Sequence, residues 1–250
     1  MVVIVNITEK PKLNNPVLIE GLPGIGFVAS VASLHLINKL KAKRFAQIVS
    51  SSFHDFAVTV QDGSVRSPIN ELYYVKRGDK NRDLIIWYGN TQALSIAGQY
   101  ELCGKVLKLV KELGCNYVVS IGGFKKDEAQ PIPTIYSTAT DSDTMKTVID
   151  FDTKIMVGNV FGIAGISIGL AKLYDMKGFS LLVDTPGVTP DVNAARYALF
   201  VLFNFLNLKV DLTDLEQTGD EIKRTLELIG LIKNVSEEKK KEAQQLRWFI

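Results

Sequence analysis

Cysteine and histidine are scarce in this sequence, and each scarcity removes a class of function. Of its 250 residues, two are cysteine and two histidine. Cys103 and Cys115 stand apart, without a CxxC pair or a neighbouring histidine, so they do not read as zinc ligands. They read as small buried thiols, in keeping with a reducing cytoplasm. His35 falls inside a helical pattern, and His54 sits beside Asp55 with no GxSxG nucleophile elbow anywhere. Charge of one sign is also missing: the formal net charge is +2. No basic field is available to gather nucleic acid or an anionic membrane. The most apolar stretch, Val160 to Leu173, is too short for a bilayer, is broken by glycines, and ends at Lys172 and Asp175. The opening Met1-Val2-Val3-Ile4-Val5 has no basic region of the signal-peptide kind. The expectation is a cytoplasmic protein with no cofactor, no metal, no nucleic-acid partner and no membrane.

What is present is a core. Hydrophobic residues make up 46% and charged residues 22%, ordinary for a globular chain. Val17-Leu18-Ile19 predicts a short strand ending at Gly21, followed by helical spacing from Phe27 to Leu40 with Lys39 and Lys41 where a helix dipole favours cations. Arg44–Val49 and Phe56–Val60 read as strands. Glu71–Val75 and Asp83–Tyr88 read as a hairpin around Arg77-Gly78-Asp79-Lys80. Strand–helix alternation follows. A helix is expected from about Leu94 to Leu113, a strand over Tyr117–Ile121, and a glycine-rich helix over Val160–Tyr174. A strand over Phe179–Val183 precedes a helix over Asp191–Leu206, whose start is marked by Thr189 as cap and Pro190 at the first position. Gly162, Gly165 and Gly169 share one helix face and suggest close helix packing, inside the domain by default. The alternation predicts an α/β fold, a mixed sheet covered by helices on both faces. Leu215, Ile222, Leu226 and Ile229 give a further helix one apolar face. The boundaries are an α/β domain over 1–212, a helix packed on it over 213–233, and a charged arm over 234–250.

Four strand ends carry small-residue loops. They contain Gly21, Gly24 and Gly26; Gly89; Gly122 and Gly123; and Asp184-Thr185-Pro186-Gly187. In an open sheet such ends form ligand crevices, and the following helix amides can hold an anion. Tight turns alone also demand glycine. The first loop is GxxGxG, neither the dinucleotide GxGxxG nor a phosphate loop ending in GK[ST]. Asp141-Ser142-Asp143 lacks the glycine and glutamate of a calcium loop, and Lys125-Lys126 reads as solvated surface. No catalytic residue is assigned, and the chain is read as a non-enzyme.

The loops in order resemble those of the PAC2 (proteasome assembly chaperone) family. Leu18-Ile19-Glu20-Gly21-Leu22-Pro23-Gly24-Ile25-Gly26-Phe27-Val28 is similar to its opening block. Asp83 to Gly89 with Gln92 resembles the second, although Asn90 and Ala93 replace its usual acid and proline. Gln99-Tyr100-Glu101, Leu113-Gly114 and Ile121-Gly122-Gly123-Phe124 match the third. Gly162–Leu170 and Leu181 through Gly187 match the fourth. Pro190-Asp191, Ala194-Ala195 and Val210-Asp211-Leu212 close the pattern, which spans about residues 16–232. The resemblance implies a three-layer α/β/α sandwich with a nucleoside-phosphorylase-like mixed sheet and a C-terminal helical extension. It also implies an archaeal chaperone without an enzymatic site, a homo-oligomer (tetramer or pentamer) that binds proteasome α-subunits.

The chain closes on Trp248-Phe249-Ile250 after a charged segment. Water rejects such side chains unless something packs on them. The three residues resemble the hydrophobic–tyrosine–any tail of proteasome activators, with Phe249 in place of tyrosine. The resemblance implies that the aromatic fills a pocket between α-subunits of the 20S core and that the carboxylate on Ile250 pairs with a lysine there. Aromatic anchors and carboxylate capture are physically suited to this, and several tails on one oligomer add avidity. The missing hydroxyl forfeits about 1 kcal/mol of any hydrogen bond it made. The other reading of the tail is that Leu246, Trp248 and Phe249 fold back into a groove on the protein or a neighbouring copy. Two further functions stay open: a nucleoside hydrolase or phosphorylase using the glycine crevice, with Arg44, Arg66 and Arg82 as phosphate candidates, and a self-assembling scaffold.

Overall fold

The structure is a computed structural model that describes residues 2–59, 63–78, 80–128 and 130–228. Its elements run β1 (Val3–Ile7), β2 (Val17–Gly21), α1 (Val28–Lys39), β3 (Lys43–Ser50), β4 (Val58–Thr59), β5 (Val65–Arg66), β6 (Asn70–Val75) and β7 (Leu84–Gly89). Then follow α2 (Ile96–Glu112), β8 (Tyr117–Lys125), β9 (Ile135–Ala139), α3 (Ser142–Ile149), β10 (Lys154–Ile155), α4 (Ile163–Leu173), β11 (Lys177–Thr185), α5 (Val192–Leu206) and α6 (Leu215–Leu228).

Nine strands form one mixed sheet in the order β1-β3-β6-β7-β2-β8-β11-β9-β10. Its centre is parallel: β2 pairs with β7 and β8, and β8 with β11. The flanks are antiparallel through β1, β3 and β6 on one side and β9 on the other. Every residue of β2 is buried, as a central parallel strand covered on both faces requires. Alternation along it sorts the two cores. Val17 and Ile19 join the layer formed with α1, α5 and α6, which includes Val31, Leu199 and Ile222. Leu18 and Leu22 join the layer formed with α2 and α4, which includes Leu102, Val106 and Ile168. The architecture is the expected three-layer α/β/α sandwich.

Several boundaries differ from expectation. β1 is an edge strand of the main sheet, paired with β3 from Val3 to Ile7. The strand expected over Phe56–Val60 is reduced to Val58–Thr59, paired with Val65–Arg66 in a separate two-stranded ribbon. Residues 135–155 fold as β9, α3 and β10. Their helix begins at Asp141, whose side chain accepts from Thr144 N at 2.8 Å. The start of α5 also moves. Asp191, not Thr189, is the cap, and its Oδ1 accepts from Ala194 N at 2.9 Å. A carboxylate also receives Thr185 Oγ1 at 2.7 Å, which ties the helix to the end of β11.

The helix α6 is fastened to α1. His35 is buried, with Nε2 2.8 Å from Asp211 O and Nδ1 3.3 Å from Thr218 Oγ1. A carbonyl only accepts, so Nε2 carries the proton and donates. Lys39 adds ion pairs to Asp211 and Asp214.

Candidate functional site

The C-terminal ends of β7, β2, β8 and β11 lie side by side and bring all six sequence-predicted crevice glycines to one end of the sheet. The space beside most of them is taken by the protein. A Cβ on Gly21 would stand 2.3 Å from Ser33 Cβ, one on Gly89 2.3 Å from Asn70 Nδ2, and one on Gly123 2.2 Å from the Ile25 carbonyl. Gly26 holds φ +63° against Thr185, Gly122 abuts Leu182, and Gly24 alone keeps open surroundings, with Gln92 Nε2 at 3.8 Å. The loops interlock through these contacts. Asp191 N donates to Gly26 O at 2.8 Å, and the Gln92 amide donates to Pro23 O. Phe27 follows Gly26 at φ +50°, a left-handed conformation that costs a side chain of this size about 1 kcal/mol.

One titratable residue at this end was not singled out from the sequence. Glu20 is the fourth residue of β2 and is 1% exposed. Its Oε1 accepts from Leu22 N at 2.9 Å and its Oε2 from Ser120 Oγ at 2.6 Å. Burial pushes its pKa up to about 7, against the opposing pull of the Ser120 and Leu22 hydrogen bonds. An acid inside the run Val17-Leu18-Ile19-Glu20-Gly21-Leu22 was the available signal. The carboxyl has no route to solvent and works as an internal hydrogen-bonding group.

The remaining candidates are dispersed. Arg44 pairs with Glu71. Arg82 donates to Asn15 O and Asn116 Oδ1 and lies 5.0 Å from the Tyr117 ring centre. Both cysteines are buried free thiols, and burial raises the pKa of each. Asp141 is a helix cap held at about 2 by the Thr144 amide and the Thr140 and Thr144 hydroxyls. Among the described residues, no group of three His, Cys, Asp or Glu is placed to hold a metal ion, and no helix is long and apolar enough to cross a membrane.

Two surfaces stand out instead. The first is a cavity of about 500 Å³. Phe27, Ser30 and Leu34 of the α1 side form one wall, and Ile222, Thr225 and Leu226 of α6 another. Val58 and Arg66 of the β4–β5 ribbon, Phe56 just before it, and Tyr88, Asn90 and Gln92 at and after the end of β7 complete the lining. His54 stacks on Phe56 at 5.0 Å at the rim. The second is an exposed apolar surface at the two ends of α4: Phe161, two residues before the helix, is 82% exposed, and Leu173, its last residue, 75%. The three glycines here do not act together inside the domain. Gly162 is the left-handed residue before α4, Gly165 makes room for Val160 O, and a Cβ on Gly169 would meet nothing within 4 Å. The tail residues Trp248, Phe249 and Ile250 lie outside the described residues.

Comparison with known proteins matches the PAC2 family over residues 18–229. An uncharacterised protein of Methanocaldococcus jannaschii is 32% identical over 244 residues, 95% of this chain and 92% of that one. Among solved structures, Pyrococcus furiosus PbaB, an archaeal proteasome activator, superposes with a TM-score of 0.81 at 32% identity, covering 91% of this chain and 98% of its own. Pyrococcus furiosus PbaA, an archaeal homologue of proteasome-assembly chaperone, gives 0.74 at 22% identity over 90% and 95% of the two chains. That second likeness speaks to the fold alone.

Proposed function

This chain belongs to the PAC2 family, and from that membership we propose that it serves the proteasome as a non-catalytic homo-oligomer, an assembly chaperone, an ATP-independent activator or both. The observation that carries this reading is the likeness to the activator PbaB over nearly the whole of both chains. In this reading residues 1–212 are the α/β body, 213–233 a helix packed on it, and 234–250 a charged arm. Trp248, Phe249 and Ile250 at its end dock on the α-ring of the 20S core. The sequence Arg247-Trp248-Phe249-Ile250 supports it, because adjacent aromatics give large contact area at small entropic cost. Exposed Phe161, just before α4, and Leu173 at its end support the homo-oligomer, since a second copy would remove their apolar surface from water. A nucleoside-processing role gains no support from the crevice, whose glycines seat Ser33, Asn70, Ile25 and Thr185.

The test is binding of archaeal 20S proteasome to the intact protein and to a form ending at Arg247, with peptide hydrolysis as second readout. Binding and stimulated hydrolysis that both disappear with the truncation establish tail docking and gate opening. Binding that survives moves the interface to the α/β body and favours assembly of free α-subunits. No binding by either form refutes the proteasome assignment.

A further inference from the structure

The nine-stranded sheet has two edges, and they are built differently. One is β10, two residues long and containing Lys154. Shortness and a lysine both keep an edge from pairing with another chain. The other is β1, Val3-Ile4-Val5-Asn6-Ile7. It has no charge, no proline and no glycine, and its ladder with β3 is regular, since the irregularity of β3 falls on the β6 side. None of the usual protections of an edge is present on it.

Register decides which backbone groups of β1 face outward. Val3 stands opposite Ser50 and Ile7 opposite Ala46. Beyond the two ends, Ser51 N donates to Val2 O at 3.0 Å and Thr8 N to Phe45 O at 2.9 Å. Bonded and unbonded pairs alternate along an antiparallel ladder. The even-numbered residues from Val2 to Thr8 therefore bond to β3, and Val3, Val5 and Ile7 turn N–H and C=O away from it. Among the described residues, no other group receives or supplies those bonds. The side chains of these three pack on the layer formed with α2 and α4. On the other face Val2 and Ile4 are each 58% exposed, and Val49, across from Ile4, is 40% exposed. An open ladder and bare aliphatic side chains thus occur on one strand, the two features that strand addition uses.

We infer that β1 pairs with β1 of a second copy, antiparallel about a twofold axis at Val5, so that one sheet runs through both molecules. The strand is complementary to itself. The axis sets Val5 opposite the partner's Val5 and Val3 opposite the partner's Ile7. These are the residues whose amides point outward, so each pair exchanges both of its bonds. Ile4 falls diagonal to the partner's Ile4, within reach of a branched side chain. No like charges meet, because residues 2–8 are uncharged, and the first charge beyond them, Glu9, is engaged by Lys43 and Tyr74. This rests on the homo-oligomer reading above and gives it a surface apart from the ends of α4. Each copy spends its single β1 on one neighbour, so the assembly holds an even number of copies.

The experiment is amide hydrogen exchange on the full-length protein, with mass by light scattering. The expected result is that the amides of Val3, Val5 and Ile7 exchange as slowly as those of Ile4 and Asn6, and lose that protection on dilution as the mass falls. Val5→Pro removes only an outward N–H, a place where an edge strand accepts proline. It should cut the mass by about half and speed exchange at Val3 and Ile7 by about tenfold or more, with the far-UV spectrum unchanged. Val5→Cys should give a disulfide-linked dimer on oxidation, because the Cα atoms of such a pair stand about 5.5 Å apart and the native Cys103 and Cys115 are buried. Fast exchange at Val3, Val5 and Ile7 at every concentration overturns the inference. So does protection that persists in a monomer, which would mean cover from the same chain, or protection that arises only with 20S core present, which would give the edge to the ring. A mass with an odd number of copies also overturns it. An assembly indifferent to Val5→Pro but dispersed by Phe161→Asp with Leu173→Asp overturns it and keeps the homo-oligomer. Protected outward amides without any binding of the 20S core leave it standing and refute the proteasome assignment.

Discussion

Replacing Glu20 by glutamine tests the energetics of the central strand directly. The carboxyl is raised from 4.5 to about 7 on folding because it leaves water for the interior of the sheet. Between those two values the folded protein holds a proton that the unfolded chain has released. Stability from this group is therefore complete below about pH 4.5 and falls as pH rises, by about 1.4 kcal/mol per unit, until the folded carboxyl also ionises near 7. The loss above pH 7 is about 3 kcal/mol. Glutamine keeps the shape, accepts from Leu22 N and donates to Ser120 Oγ, but does not titrate. It brings one extra amide hydrogen to satisfy, at a cost of about 1 kcal/mol. Glu20→Gln should then be more stable than the parent at pH 8 by about 2 kcal/mol, a rise in Tm of roughly 4–8 °C for a chain of this size. At pH 4.5 it should be equal or slightly less stable. Urea titrations or calorimetry at half-unit intervals from pH 4.5 to 8.5 would show the two curves crossing, with the difference isolating this one group. Parallel curves, or a variant less stable at every pH, would refute a carboxyl buried at this cost.

Other perturbations follow from single contacts. Gly123→Ala places a methyl about 2.2 Å from the Ile25 carbonyl, so the β2–α1 loop must shift, and a loss of about 1–3 kcal/mol is expected by thermal melting. Asp191→Ala removes the α5 cap and the Thr185 bond and should cost about 1–2 kcal/mol, most of it recovered by asparagine at the same place. Phe161→Asp with Leu173→Asp should lower the mass measured by light scattering while leaving the far-UV spectrum unchanged. An unchanged mass would remove the α4 face from the assembly.

The sequence displayed the parallel centre clearly because β2, β7, β8 and β11 are mostly buried on both faces and so read as short, largely apolar runs. It displayed the helices through their spacing and, at α6, through Leu215, Ile222 and Leu226. It hid β1, whose Val-Ile-Val-Asn-Ile is half exposed and marked by no turn of its own. It also hid β9, α3 and β10, which are short and take their place only through tertiary partners: β9 pairs with β11, β10 with β9, and α3 packs on β9 and β11. The glycines were visible as a set, but each has a different neighbour across the fold, and no local pattern records Ser33 or Thr185 as the atom that fills the gap. The cavity was the least legible feature, since its walls come from α1, the β4–β5 ribbon, the loop after β7, and α6. Four segments far apart in sequence meet there only after the sheet has formed.

The strand order also sets a schedule for synthesis. β2 is made before either of its neighbours: Val17 pairs with Leu84 on one side and Tyr117 on the other. A ribosome adding residues at about 5–20 per second takes roughly 5–20 s to cover that distance. Until β7 is made at Leu84–Gly89 this strand, buried along its whole length in the folded sheet, waits without a partner, and in water at neutral pH the ionised carboxylate of Glu20 is the one charge it carries.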